Sequence, residues 1–323
     1  MQNTTEQKRQ NTAAPDEISI ETAFTALGTT NHISVYAYAE RVAAGEALMR
    51  AKERVLFLHD CLSVFQPESE LSLLNASAGC SSVPLGKDAF FLLSESKRYN
   101  ALSENAFSIT TRALSALWEI HARCGTVPSR AEVEHALLLV NDEDILLDDE
   151  AQTAELRRFG QSLDLGAIAK GYAADEVRRI LTEGGITSAL VNLGGTVSVI
   201  GEGKHVGIQH PDRMTGIPMG RVLLTDACAV TSGDYERYYE VDGTRYHHIL
   251  DPRTGYPSRS GLRNVTLIGS SALALDALST AVFVLGAEKG LPLIQQAGYQ
   301  AVFVTDALDV FCTDGLRGNF ELL

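Results

Sequence analysis

The sequence predicts an α+β protein with mixed or largely antiparallel sheets flanked by helices. Three observations carry this. Strand-like segments follow one another in runs between residues 188 and 269. Segments with helical spacing are grouped before and between those runs, which is the pattern of α+β and not of an alternating βαβ array. No fixed-period repeat or low-complexity stretch interrupts residues 21–323, which read as one unit after a polar, aperiodic, disordered tail at 1–20.

TALGTTNHISVYAYA, 25–39, alternates and is β-rich, so it reads as one long strand or a strand pair. Residues 40–64 place Leu48, Ala51, Val55, Leu58 and Leu62 at helical spacing. FQPESELSLLN is a loop with a short helical turn, and helices are expected at 88–103 and 109–122. Residues 137–163 read as short strands around the acidic turn NDEDILLDDE. LDLGAIAKGYAADEVRRILTEGG runs from loop to helix and stops at Gly184-Gly185. Strands are expected at SALVNLG, TVSVIG, HVGIQH, GRVLLTD, ACAVTSG, YYEVDG, TRYHHIL and RNVTLIG. ALALDALSTAVFVLG reads as a core helix, followed by a second helix near 287–297 and two closing strands.

With 45% apolar and 21% charged residues the chain can bury a sizeable core. A net charge of −14 argues against nucleic acid or an anionic membrane surface as the general partner. An anionic ligand therefore needs a local positive feature or a metal. No apolar run reaches the ~18 residues of a membrane span, so none is expected. The N-terminus lacks an apolar signal region, so a cytoplasmic location is expected. Cys61, Cys80, Cys124, Cys228 and Cys312 form no C-x-x-C pair, which leaves zinc and redox motifs unsupported and favours reduced, buried thiols.

Five stretches can carry chemistry, each with a plainer reading beside it. In DALST, Asp276 and Thr280 are four residues apart and share a helix face. They are either two oxygen ligands for a hard cation or a helix edge whose hydroxyl bonds its own backbone. In LDLGAIAKGYAAD, Gly166, Ala167, Gly171 and Ala173 keep side chains small where loop becomes helix, with Asp164 and Lys170 alongside. This suits a phosphate near a helix N-terminus, or an Asp N-cap with glycines as packing points. VNLGGTVSVIG breaks a strand at Gly-Gly: a close backbone approach or a hairpin turn. TSGDYERYY and YHHILDPRTGYP bring a His pair next to Asp251, Arg253 and a turn, where a His serves as a general base or stays structural. Phe65, Glu70, Asn75, Phe107 and Trp118 offer aromatic and polar groups for a flavin or base, or for the core.

Taken together and in order, ALGTT, DLGAIAKGYAAD, NLGG, GIQHP, TSGDYER, HHILDPRTGYP and DALSTA resemble the ApbE family of FAD:protein FMN transferases, from residue 26 to 286. The resemblance implies a two-lobed single unit that binds Mg²⁺ and takes FAD as substrate. It implies transfer of the FMN half, through its phosphate, to a Thr or Ser hydroxyl of a target flavoprotein, with release of AMP. Metal ligands would be the side chains of Asp276 and Thr280 and the main-chain oxygen of Ala167. FAD contacts would be Leu27, Phe65, Ala106, Phe107, Ser108, Asp164, Lys170 and Ile249. His248 matches the histidine that acts on the acceptor hydroxyl. Partners would be the acceptor flavoprotein and FAD, with a homodimer left open. Hydrolysis of FAD to FMN and AMP is the alternative within the same chemistry, and FAD binding without turnover the alternative outside it. This chain departs from the family pattern at Ser108, where FD-x-T has aspartate, at Ala167 for Gly, at Leu27 for Met, and at Thr196 after NLGG.

Overall fold

The computed structural model describes residues 19–36, 40–118 and 126–323. The tail up to residue 18, the end of the first strand segment (37–39), the end of the helix expected at 109–122, and Cys124 lie outside the described residues.

β1 (Ser19–Ala26) and β2 (Thr29–Tyr36) form a hairpin. Its turn is Leu27-Gly28, both at positive φ (53° and 74°), the geometry whose twist matches paired strands. Residues 25–36 are therefore part of a strand pair, and the expected tail overran β1 by two residues. There follow α1 (Arg41–Leu62), α2 (Glu70–Ala76), β3 (Val83–Pro84), α3 (Lys87–Leu102), α4 (Arg112–Trp118) and α5 (Arg130–Leu137). Apolar spacing did not reveal α5, yet the sequence marks its start with the Ser129–Glu132 capping box. β4 (Ile145–Asp148) and β5 (Thr153–Leu156) pair as short strands, and α6 (Ala169–Glu183) ends before Gly184-Gly185 as expected. Next come β6 (Ala189–Leu193), β7 (Thr196–Ile200), β8 (Lys204–Gln209), β9 (Pro218–Leu224), β10 (Cys228–Gly233), β11 (Tyr238–Val241), β12 (Thr244–His247) and β13 (Leu262–Gly269). α7 (Ala272–Gln296), β14 (Gln300–Thr305), β15 (Val310–Cys312) and β16 (Phe320–Leu322) complete the fold.

The main sheet has eight strands in the order β1-β2-β6-β7-β10-β13-β14-β15. Its neighbouring strands are all antiparallel. Its central strands are buried on both faces. Val265, Leu267, Ala301 and Phe303 point into the core shared with α1, α6 and α7. Ile268 and Val302, one position out of phase, point into a second core closed by the three-stranded sheet β16-β9-β8. A third small core joins α4 and α5 to the β11–β12 hairpin through Leu114, Trp118, Val133 and Tyr239.

α7 is broken at Gly286 (φ 80°, ψ 169°), so two helices meet there as the sequence suggested. At 25 residues it is long and apolar enough to cross a membrane. Most of it is buried here as the core helix packed on α6, β10 and β13. Cys61, Cys80, Cys228 and Cys312 are free thiols, but only Cys228 is buried, and Cys80 is exposed.

Candidate active site

The site is built first by the crossing of α6 and α7. Asp175 of α6 accepts hydrogen bonds from Ala272 N (2.9 Å), Leu273 N (3.0 Å) and Ser271 Oγ (3.1 Å), so one helix caps the start of the other. Five residues further along α7, the crossing is tight. A Cβ on Gly171 would lie 2.7 Å from the Asp276 Cβ and collide with the Ala272 carbonyl. Glycine is required there, and its buried N–H, in the first turn of α6, reaches Asp276 Oδ2 at 2.8 Å. Gly171 is thus a packing point, as the plainer reading had it, and that packing aims a donor at the carboxylate.

Asp276 is only 4% exposed. Burial pushes its carboxyl pKa up; Lys170 and the Gly171 N–H pull it down. Its second oxygen accepts no hydrogen bond; the nearest cation is Lys170 Nζ at 3.8 Å. Lys170 Nζ also donates to the Gly166 carbonyl (2.8 Å), and Gly166 N donates to Asp164 Oδ1 (2.8 Å). Asp164, the turn through Ala167, Lys170 and Asp276 are thereby one cluster. Thr280 Oγ1 has only long contacts, 3.4 Å each, to the Asp276 carbonyl and to Ser232 Oγ. The plainer reading of Thr280 is half right: it leans on its own helix backbone, weakly. Among the described residues no group of three or more His, Cys, Asp or Glu forms a metal cluster. The donors here are a carboxylate, a hydroxyl and a turn carbonyl, a set that fits a hard divalent cation and serves zinc poorly.

The second component is His248, just past β12. Its N–H bonds the Arg237 carbonyl at 3.0 Å, and its ring Nδ1 lies 3.3 Å from the same oxygen. A carbonyl only accepts, so Nδ1 carries the proton and Nε2 keeps a free lone pair. Burial foremost, then the Arg237, His247 and Lys170 charges, hold its pKa down to about 3. The imidazole is neutral at pH 7. Arg237 and Ser232 belong to the same TSGDYER stretch, which therefore touches both His248 and Thr280. His247 is buried, with Nε2 3.0 Å from the Ser258 carbonyl and Nδ1 unpartnered; it is the structural member of the pair. Asp234 pairs with Arg263 (2.9 Å) and Arg245 (3.3 Å), and Asp251 with Arg253 (2.8 Å), so both clamp loops.

The Leu27-Gly28 turn borders this region. A Cβ on Gly28 would lie 3.6 Å from the Arg237 guanidinium, and one on Gly194 would collide with Thr29. NLGG is a hairpin turn and also a close approach, since both of its glycines have positive φ (62° and 89°). Leu27 carries left-handed backbone without being glycine, a strain that points to a constrained surface.

The third component is the segment after α3. Glu104 and Asn105 are consecutive left-handed residues (φ 51° and 63°), and Asn105 N closes the helix end on the Asn100 carbonyl at 2.9 Å. Ala106 and Phe107 are fully buried. Phe107 N–H donates to Ser103 Oγ (3.0 Å), and its carbonyl accepts from Asn100 Nδ2 (2.7 Å). Phe107 packs in the core, its ring edge-on to Tyr99. Ile249 is buried too, its carbonyl bonded to Ser258 N (3.0 Å). Trp118 is core, donating to the Gly255 carbonyl at 2.8 Å. Phe65, by contrast, is 78% exposed, with the Arg112 guanidinium 4.9 Å from its ring centre. Asn75 clasps Leu163 through both backbone groups (2.7 and 3.1 Å), fixing the loop that leads into Asp164. Glu70 accepts from Gly86 N (2.7 Å) at the start of α3.

One residue escaped the sequence reading. Where aspartate was expected, Ser108 donates to the carboxylate of Asp142 at 2.5 Å. Asp142 opens the run that read as an acidic turn; its only sequence signal was Asn141, whose side chain caps that turn (3.2 Å to Glu143 N).

A buried carboxylate with an open oxygen, an adjacent lysine and a neutral histidine, carried on an α+β fold, are groups able to hold a cation and take up a proton. Comparison with known proteins agrees. The profile described as the ApbE family matches residues 27–303. A Klebsiella pneumoniae (strain 342) protein named FAD:protein FMN transferase is 35% identical over 298 residues, covering 92% of each chain. A Treponema pallidum (strain Nichols) protein of the same name is 33% identical over 316 residues, covering 92% of this chain and 87% of its own. The solved ApbE protein of Thermotoga maritima superimposes with a TM-score of 0.85 at 30% identity, over 94% of this chain and 99% of the other. The chain belongs to the ApbE family.

Proposed function

We propose that this chain is a FAD:protein FMN transferase, acting on a Thr or Ser hydroxyl of a target flavoprotein. The observation that carries the reading is the open oxygen of buried Asp276 facing Lys170, whose charge also reaches the neutral His248. Asp276, Thr280 and the Ala167 carbonyl would hold Mg²⁺. When bound, the ion offsets pyrophosphate charge and lets a chain of net charge −14 take a polyanion. Lys170 adds a second positive charge, directed by Gly166 and Asp276. Exposed Phe65, Leu27 and the backbone around Ser108 are the surfaces offered to the flavin.

In the transfer step the acceptor hydroxyl oxygen bonds to the FMN-side phosphorus. The P–O bond to AMP breaks, and its electron pair leaves on the AMP phosphate. The hydroxyl proton passes to Nε2 of His248, whose orientation is set by the Arg237 carbonyl.

The test is incubation of the protein with FAD, Mg²⁺ and a Thr-bearing acceptor domain, following AMP release and in-gel fluorescence of the acceptor. AMP together with a fluorescent band, both lost in Asp276→Ala, is the expected result. AMP with free FMN and no band would replace the transferase reading by FAD hydrolysis. Bound FAD without AMP would replace it by a binding protein.

A further inference from the structure

Asp142 lies outside every motif that marks the site, yet the polar bonds of residues 108–110 converge on it. Its side chain accepts from Ser108 Oγ (2.5 Å), Thr110 Oγ1 (2.7 Å), Ile109 N (3.1 Å) and Thr110 N (3.3 Å). It is 2% exposed. Burial pushes its pKa up, and the four donors oppose that shift. A carboxylate this buried is costly unless its bonds are complete, and these bonds go to one short segment.

The segment is also joined to the phosphate side. The Ile109 carbonyl accepts from Asp164 N at 2.8 Å. Asp164 holds Gly166 N, and the Gly166 carbonyl holds Lys170 Nζ, each at 2.8 Å. Asp142 itself is tied down from behind: Lys97 Nζ bonds its carbonyl (3.2 Å) and that of Ile145 (2.7 Å), and neighbouring Asp144 pairs with Arg158 (2.6 Å). A continuous hydrogen-bonded path therefore runs from α3 through Asp142, Ile109 and Asp164 to Lys170.

We propose that Asp142 is a positioning residue for FAD: it fixes the Ser108–Thr110 turn and, through Ile109 and Asp164, the loop that carries Gly166 and Lys170. The proposal rests on the flavin-transferase reading, but its test reads FAD binding directly and does not require turnover. Asp142→Asn keeps the size but offers one acceptor oxygen to four donors. FAD affinity, by titration of flavin fluorescence with Mg²⁺ present, is expected to fall about tenfold or more, the worth of one bond to a charged group. At saturating FAD the rate of AMP release changes far less than KM, because His248 and Asp276 are held by other elements. In Ser108→Asp two carboxylates would face each other, and affinity falls. Combining it with Asp142→Ser returns one carboxylate to the same contact from the other side, and affinity recovers. A folded Asp142→Asn protein with lower melting temperature but unchanged FAD affinity overturns the proposal, as does failure of the exchange pair to recover. Should Asp142→Asn not fold, Ser108→Ala with Thr110→Val removes the same bonds from the other side; unchanged affinity there overturns it equally. Weak FAD binding by the unaltered chain would instead count against the transferase reading itself.

Discussion

The two ends of the site are built by opposite means. The Asp276 end is made of backbone: two long helices cross where Gly171 permits it, one caps the other, and a main-chain N–H sets the carboxylate. The Ser108 end is made of side chains: a turn with two left-handed residues before it hangs on one buried carboxylate. The first is rigid because moving it would unpack the core. The second is only as fixed as Asp142. Substitutions at the helix crossing should therefore damage chemistry or fold, and those at the turn should damage affinity.

Asp276→Ala should be the largest effect. It removes the carboxylate proposed to hold the cation and leaves Lys170 with the Gly166 carbonyl alone. AMP release should fall by more than the ~10⁴-fold upper range of a lost general base, and excess Mg²⁺ should not restore it. Restoration would make Asp276 an indirect ligand. His248→Ala should lower AMP release roughly 10²–10⁴-fold, about 3–5 kcal/mol of barrier, with FAD affinity kept. An equal loss of affinity would move His248 from the chemistry to the binding surface. Gly171→Ala forces a methyl against the Ala272 carbonyl and should cost about 1–3 kcal/mol of stability, seen as a lower melting temperature. At the other end, Phe65→Ala should leave stability within about 0.5 kcal/mol, since the ring is 78% exposed, while weakening FAD binding measurably.

The smallest effect concerns pH. His247 and His248 are both held below the ordinary histidine range, His247 by burial and His248 to about 3. Above about pH 6.5 neither folded nor unfolded imidazole is charged, and there is no penalty. As pH falls below that, the unfolded chain binds protons the folded chain refuses, so stability drops. The denaturation midpoint should fall between pH 7.5 and pH 5, and His248→Gln should flatten that slope. An unchanged slope would mean that His248 is already charged in the fold.

What could be read in the sequence follows the same division. Asp276, Thr280, Gly171 and Lys170 sit in helical and turn patterns whose spacing forces their neighbours, so DALST and LDLGAIAKGYAAD were legible one turn at a time. The β1–β2 hairpin announced itself by alternation, whereas the central strands are buried on both faces and do not alternate. Asp142 was not legible, because an acidic run reads as solvated until the fold shows which carboxylate turns inward. Phe107 was left with two readings for the converse reason: an aromatic beside a polar turn looks the same in sequence whether its ring meets a flavin or a core neighbour such as Tyr99, which lies 6.5 Å away in a T-shaped contact. α5 was missed because its eight residues carry too few apolar positions to show a period, and only its capping box marks it.

The central claim is that a protein hydroxyl, and not water, attacks the FMN-side phosphorus of FAD. The direct measurement is the reaction of FAD with the acceptor domain in water enriched in the heavy oxygen isotope, with mass spectrometry of AMP, free FMN and the labelled acceptor. The account predicts AMP and acceptor-bound FMN both free of heavy oxygen, in equal amounts. Heavy oxygen in free FMN would show that water is the acceptor, and heavy oxygen in AMP would show attack at the other phosphorus; either contradicts it.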